Sequence, residues 1–114
     1  MKNLYRKLKR SIPLLFVMFL NGCNFEAKQD PHRKHIVEIK QMQFQPALLL
    51  IQSGDTVEWI NHDFVTHDIT EEKHQSWRSS PLAAGASWQT VIEENADYYC
   101  SIHQVMKGKL KVVE

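Results

Sequence analysis

From residue 36 onward, apolar side chains recur at alternate positions in short runs, and turn-forming residues separate the runs. Val37 and Ile39 alternate with polar neighbours, and Met42 and Phe44 resume the alternation on the opposite parity, so a bulge or bend is expected at Lys40-Gln41. Residues 47–52 form a second run that closes at Ser53-Gly54-Asp55, a strong turn sequence. Val57 and Trp59 share one face of residues 56–61, and residues 65–70, 87–92, 97–100 and 109–113 read as further strands. Pro81 and Gly85 mark the loop before the strand at 87. No stretch sustains a helical period. Short strands at this spacing predict an all-β fold, an antiparallel Greek-key sandwich, over residues 36–114.

The N-terminal segment obeys a different pattern. Lys2, Arg6, Lys7, Lys9 and Arg10 form a basic stretch with no acidic residue, and apolar residues 12–20 follow, too few to span a bilayer. Residues 1–22 therefore read as an export signal peptide. Leu20-Asn21-Gly22-Cys23 resembles the lipobox of bacterial lipoproteins, in which a small residue precedes an acylated cysteine. Cys23 is thus expected to carry lipid and to tether the chain to a membrane of the bacterial cell envelope, on its periplasmic or extracytoplasmic face. Asn24 in place of Asp after the cysteine favours the outer membrane. Residues 23–35 are polar, contain Pro31 and read as the lipidated N-terminus and a flexible spacer.

Loss of residues 1–22 changes the charge. Nine Lys and Arg remain against 13 Asp and Glu, a net charge of −4. A mildly acidic single domain with no basic cluster is no candidate for nucleic acid, and a monomer partnered by proteins or ions is expected. The cysteine count matters more. The chain has only Cys23 and Cys100, so lipid on Cys23 leaves Cys100 without a disulfide partner in an oxidising compartment. A bound metal is one way to protect such a thiol.

Cys100-Ser101-Ile102-His103-Gln104-Val105-Met106 places three metal-competent side chains on one loop directly after a predicted strand. His67, eight residues beyond Trp59, can reach the same point across the sandwich. A thiolate and two imidazoles with a weak axial thioether form the blue-copper ligand set. Such a mixed site suits both oxidation states, because Cu(II) prefers nitrogen and oxygen while Cu(I) prefers soft sulfur. Zinc is the rival metal, but structural zinc sites generally use several thiolates. Singly, Met106 reads as core filler, His67 as a strand histidine and Cys100 as a small buried hydrophobe. Their joint order and spacing point instead to one copper ion held by His67, Cys100, His103 and Met106. His32, His35, His62 and His74 read as solvated surface residues, and Trp59, Trp77 and Trp88 as filling or covering the core.

At these residues the sequence resembles the cupredoxins, the blue-copper family, and within them the amicyanin-like and plastocyanin-like single-domain members. The resemblance rests on Phe44-Gln45-Pro46, Gly54-Asp55-Thr56-Val57-Glu58-Trp59-Ile60-Asn61, His67, Tyr98-Tyr99-Cys100, the Cys100/His103/Met106 spacing and Met106-Lys107-Gly108-Lys109-Leu110. It implies a β-sandwich and the same four ligands. It also departs from the family: Asp68 stands where Asn commonly follows the first histidine, and Ile102, Gln104 and Val105 replace the prolines and aromatic of the ligand loop. The implied function is one-electron transfer between redox proteins, with no enzymatic set visible. The alternative is an envelope copper-binding protein for delivery or protection. His103 is expected to face solvent among Ile102, Val105, Pro46 and Met42, where redox partners dock. His67 is expected to be buried, its second ring nitrogen fixed by an internal hydrogen bond.

Overall fold

The computed structural model describes residues 22–23 and 31–114. The expected signal peptide and most of the expected spacer lie outside the described residues; Cys23 is exposed. Eight strands follow in order: β1 (Lys34–Lys40), β2 (Gln43–Gln45), β3 (Leu48–Ile51), β4 (Asp55–Asn61), β5 (Thr70–Glu71), β6 (Ser87–Ile92), β7 (Ala96–Tyr99) and β8 (Lys107–Val112). They form two four-stranded sheets, ordered β2-β1-β4-β6 and β3-β8-β7-β5. The all-β sandwich is as expected.

The uniformly antiparallel pairing is not: β1 runs parallel to β4, and β3 parallel to β8. A period of two tells which face a side chain takes but not which way the neighbouring strand runs. Here β2 lies in one sheet and β3 in the other, so the chain crosses the sandwich before β4 returns beside β1.

The parity slip at Lys40-Gln41 is a two-residue hairpin turn. Lys40 pairs with Gln43, and the intervening Gln41 and Met42 have φ of 54° and 58°. Two left-handed residues give a hairpin turn whose twist matches that of the strands. Neither is glycine, and the carboxylate of Asp63 holds the turn by accepting the N–H groups of Gln41 at 2.8 Å and Met42 at 3.0 Å.

The strand expected at residues 65–70 survives only as Thr70–Glu71. Buried Asn61 turns the chain out of the sheet: its Nδ2 donates to the carbonyls of Val65 (2.9 Å) and Leu82 (3.0 Å), and its Oδ1 accepts the N–H of Asp63 (2.9 Å). His67 is then pinned by a lone bridge to Leu82, with backbone bonds of 3.1 and 2.7 Å.

At the other end, β1 begins at Lys34, before the expected domain start at 36. Buried Asp55 anchors this entry by accepting the Arg33 N–H at 2.9 Å and His35 Nε2 at 2.7 Å. His35 is therefore a half-buried hydrogen-bond partner of Asp55 rather than a solvated residue.

Val37, Ile39, Phe44, Val57 and Trp59 meet Ile51, Tyr98 and Leu110 from the opposite sheet, all buried. Each such side chain contributes about 1.5–3 kcal/mol by leaving water. Trp77 and Trp88 pack over this core. The Tyr98 ring occupies the space a Cβ would need at Gly108, its cross-strand partner on β8, so the ring lies over the glycine just past the ligand loop.

Candidate metal centre

Cys100 follows β7 directly, and its position is set by the ladder to β8. The loop beyond it is short and closed on itself: the Cys100 N–H donates to the Met106 carbonyl at 3.1 Å, and the Met106 N–H donates to that of His103 at 3.0 Å. This places His103 at the loop's tip and buries Met106. His67 enters from the segment between β4 and β5.

The three side chains converge. Cys100 Sγ lies 3.8 Å from His67 Nδ1 and 3.9 Å from His103 Nδ1, and all three donor atoms fall within 4.8 Å of one another. A point equidistant from them lies within about 2.5 Å of each, close to the roughly 2.0–2.3 Å of first-row metal bonds to imidazole and thiolate. Both imidazoles present the same ring nitrogen, so the donor set of one thiolate and two imidazoles fits a copper ion.

The surrounding hydrogen bonds fix these donors. His67 is fully buried and its Nε2 donates to Asp63 Oδ2 at 2.8 Å, which leaves Nδ1 free to face the metal point. Burial alone would push the Asp63 carboxyl up; hydrogen bonds from His67, Met42 and Gln41 outweigh it and hold the group below the usual carboxylate range. Asp68 is buried, and its N–H points at Cys100 Sγ at 3.5 Å, a contact that favours negative charge on sulfur. Its Oδ1 accepts the Ser101 N–H at 2.6 Å, and its Oδ2 accepts the Ser101 hydroxyl. One carboxylate thus ties the His67 segment to the Cys100 loop.

His103 is only partly covered. Around this end of the sandwich stand exposed apolar residues: Met42, Phe64, Val65, Ile102 and Val105, with Phe64 fully exposed. Asp63 and Phe64 were not singled out from sequence. The signal for Asp63 is a carboxylate four residues before a candidate histidine ligand; Phe64 carries none, since an aromatic in an irregular segment usually reads as core. Of the other histidines, His62 lies 3.6 Å from Glu38 on the surface and His74 is exposed.

Residues 31–113 match the family model for copper-binding proteins of the plastocyanin/azurin family. Amicyanin from Paracoccus versutus is 25% identical over 83 residues, a match that spans 68% of this chain and 63% of that protein. The purple cupredoxin from Nitrosopumilus maritimus has a TM-score of 0.64 at 30% identity and is covered over 98% of its length by 68% of this chain. A copper-containing nitrite reductase from Thermus scotoductus matches with a TM-score of 0.63 at 28% identity, over 69% of this chain but only 22% of its own.

Proposed function

The chain belongs to the plastocyanin/azurin family of copper-binding proteins, and from that premise we propose that it is a one-electron carrier whose single copper ion is held by His67, Cys100, His103 and Met106. The observation that carries this reading is the convergence of Cys100 Sγ with Nδ1 of His67 and of His103. Copper, when bound, supplies the Cu(I)/Cu(II) couple. The residues of the chain supply the rest. Asp63 holds the His67 ring in one orientation, and Asp68 locks the two ligand segments together, so the donors stay in place as the charge changes. The half-covered His103 offers an edge to a redox partner, and the apolar residues beside it let that partner approach without desolvating charge.

Burial of His67 and the Asp68 tie favour retention of the metal, and hence a carrier over a copper donor. The chain matches only a small part of the nitrite reductase, and we read it as a carrier rather than a catalyst. Its site of action in this reading is the cell envelope, reached through a signal peptide in residues 1–22 and held by lipid on Cys23. The folded domain then starts at the docked residues just before β1.

The test is the visible spectrum of the purified chain after one equivalent of Cu(II). An intense thiolate-to-copper band is expected, and Cys100→Ser should abolish it together with most of the copper affinity. A wild-type protein that stays colourless overturns the proposal.

A further inference from the structure

The last strand on an open sheet keeps half of its backbone groups turned away from the sheet, and β3 is such an edge. Only β8 flanks it, and the N–H groups of Lys109 and Val113 donate to the carbonyls of Ala47 at 2.7 Å and Ile51 at 2.8 Å. Residues of that parity face β8, so the N–H and C=O groups of Leu48 and Leu50 point outward, with no strand beside them among the described residues. Their side chains are also uncovered. Leu48 and Leu50 are each 54% exposed, opposite Lys109 and Lys111 of β8, and Val113 is partly exposed. The other edges are shorter or flanked: β2 and β5 have three and two residues, and along β6 Ser76 and Trp77 stand across a cleft from Val91 and Ile92.

The chemistry of this edge selects its occupant. Lipid is a poor match, because outward N–H and C=O groups find no partner in hydrocarbon. Glu72 and Asp97, paired with Lys107 and Lys109, also bring negative charge to this sheet. Another strand satisfies the groups, and a strand of this same sequence meets no like charge, since residues 41–54 contain no charged side chain. Antiparallel pairing about Leu49 sets Leu48 opposite Leu50 of the other copy, and Leu50 opposite Leu48. Each such pair exchanges two hydrogen bonds, and four leucines gather on one face. The lysines stay apart. Lys109 of one copy and Lys111 of the other are three strand spacings from each other, about 14 Å, beyond the roughly 8 Å over which salt leaves charges unscreened. Pro46, without an N–H, falls opposite Gln52 and ends the ladder.

We propose that β3 is a self-association edge, through which two copies of the chain pair antiparallel about Leu49 into a two-fold dimer with one continuous eight-stranded sheet. This goes beyond the electron-carrier reading and does not depend on it. Pairing uses up the edge, so assembly through β3 closes at two. Four hydrogen bonds, at one per 100–200 Å², correspond to roughly 400–800 Å² of interface, so the dimer is transient and follows concentration. The monomer expected from the sequence is its dilute form. Because β3 runs parallel to β8, which leads away from Met106, Leu48 lies toward the ligand loop. Antiparallel pairing therefore puts the two candidate metal centres at opposite poles and leaves both His103 edges open.

Sedimentation velocity of the full chain, reduced so that Cys23 forms no link, tests the pairing from micromolar to millimolar concentration. The mass should rise toward twice the 13.4 kDa of one chain. Leu50→Lys charges both cross-strand pairs and should weaken association about tenfold or more, with the circular dichroism unchanged. Leu48→Lys, at the other member of each pair, should do the same. The register has its own test. In a Cys23→Ser background, Leu48→Cys and Leu50→Cys chains, mixed and mildly oxidised, should link to each other faster than either links to itself. A chain that stays monomeric at every concentration overturns the proposal, as does one that sediments with anionic phospholipid vesicles but not with itself. Association that neither lysine substitution weakens, or cross-links with no preference for the mixed pair, overturns β3 as the interface.

Discussion

Asp63 reaches Nε2 of His67 across 2.8 Å while its two oxygens also take the N–H groups of Gln41 and Met42. One side chain therefore sets both the orientation of a proposed copper ligand and the shape of a left-handed hairpin turn. Without it, His67 is free to present either ring nitrogen, and two non-glycine residues lose what holds them at positive φ.

Asp63→Ala should weaken copper binding by roughly 10–100-fold, the usual cost of losing a partner behind a histidine ligand. Competition against a chelator of known affinity measures it. An unchanged affinity would show that the Leu82 bridge alone orients His67.

Asp68 carries a buried carboxylate bonded to Ser101, the residue after Cys100, where the family commonly has a neutral amide. Asp68→Asn keeps an oxygen for the Ser101 N–H and removes a negative charge held against the ligand loop, so Cu(I) gains relative to Cu(II). The reduction potential should rise, by about 59 mV for each tenfold change in relative affinity for the two states. A redox titration that finds no rise assigns Asp68 to loop geometry alone.

Val105 is 90% exposed next to the His103 tip. Val105→Asp should slow electron transfer to a redox partner and leave the thiolate band where it is, because the substitution charges the apolar surface without touching a donor atom. Stopped-flow mixing with a reduced partner provides the rate; equal rates would mean that electrons enter through another face.

One contribution to acid stability lies at the entry to β1 rather than at the ligands. The Arg33 N–H holds the Asp55 carboxyl at about 2 against an ordinary 3.8; burial opposes this, and Gln52 and His35 assist. A carboxyl lowered on folding stabilises the fold fully above its unfolded value, and that stability is lost as pH falls toward the folded one. The melting temperature of the copper-free protein should therefore drop between pH 3.8 and about 2, and the gap between wild type and Asp55→Asn should narrow over that window. A gap that stays constant there contradicts the assignment.

The candidate site was more legible in the sequence than the sheet directions. Cys100 and His103 lie on one short loop, so their spacing alone nearly fixes their geometry, and His67 needed only a strand pair to bring it near. Parallel pairing of β1 with β4 arises from a crossover between sheets, which no local period records. The irregular path into His67 depends on the Asn61 side chain, a polar residue whose burial shows only once the sheets are packed. His35 was misread for a related reason: Asp55 lies 20 residues away and meets it only through the parallel ladder.

Gly108 lies two residues beyond Met106, and the Tyr98 ring fills the volume its side chain would take. Position 108 is no metal ligand, yet any larger residue has to displace the buried Tyr98 ring beside the ligand loop. In a saturation library scored for copper colour, position 108 should accept glycine alone and mimic a ligand in its intolerance. The two are separable by rescue: excess copper should restore nothing at 108, because what is lost there is the seat of the Tyr98 ring and not affinity for the ion.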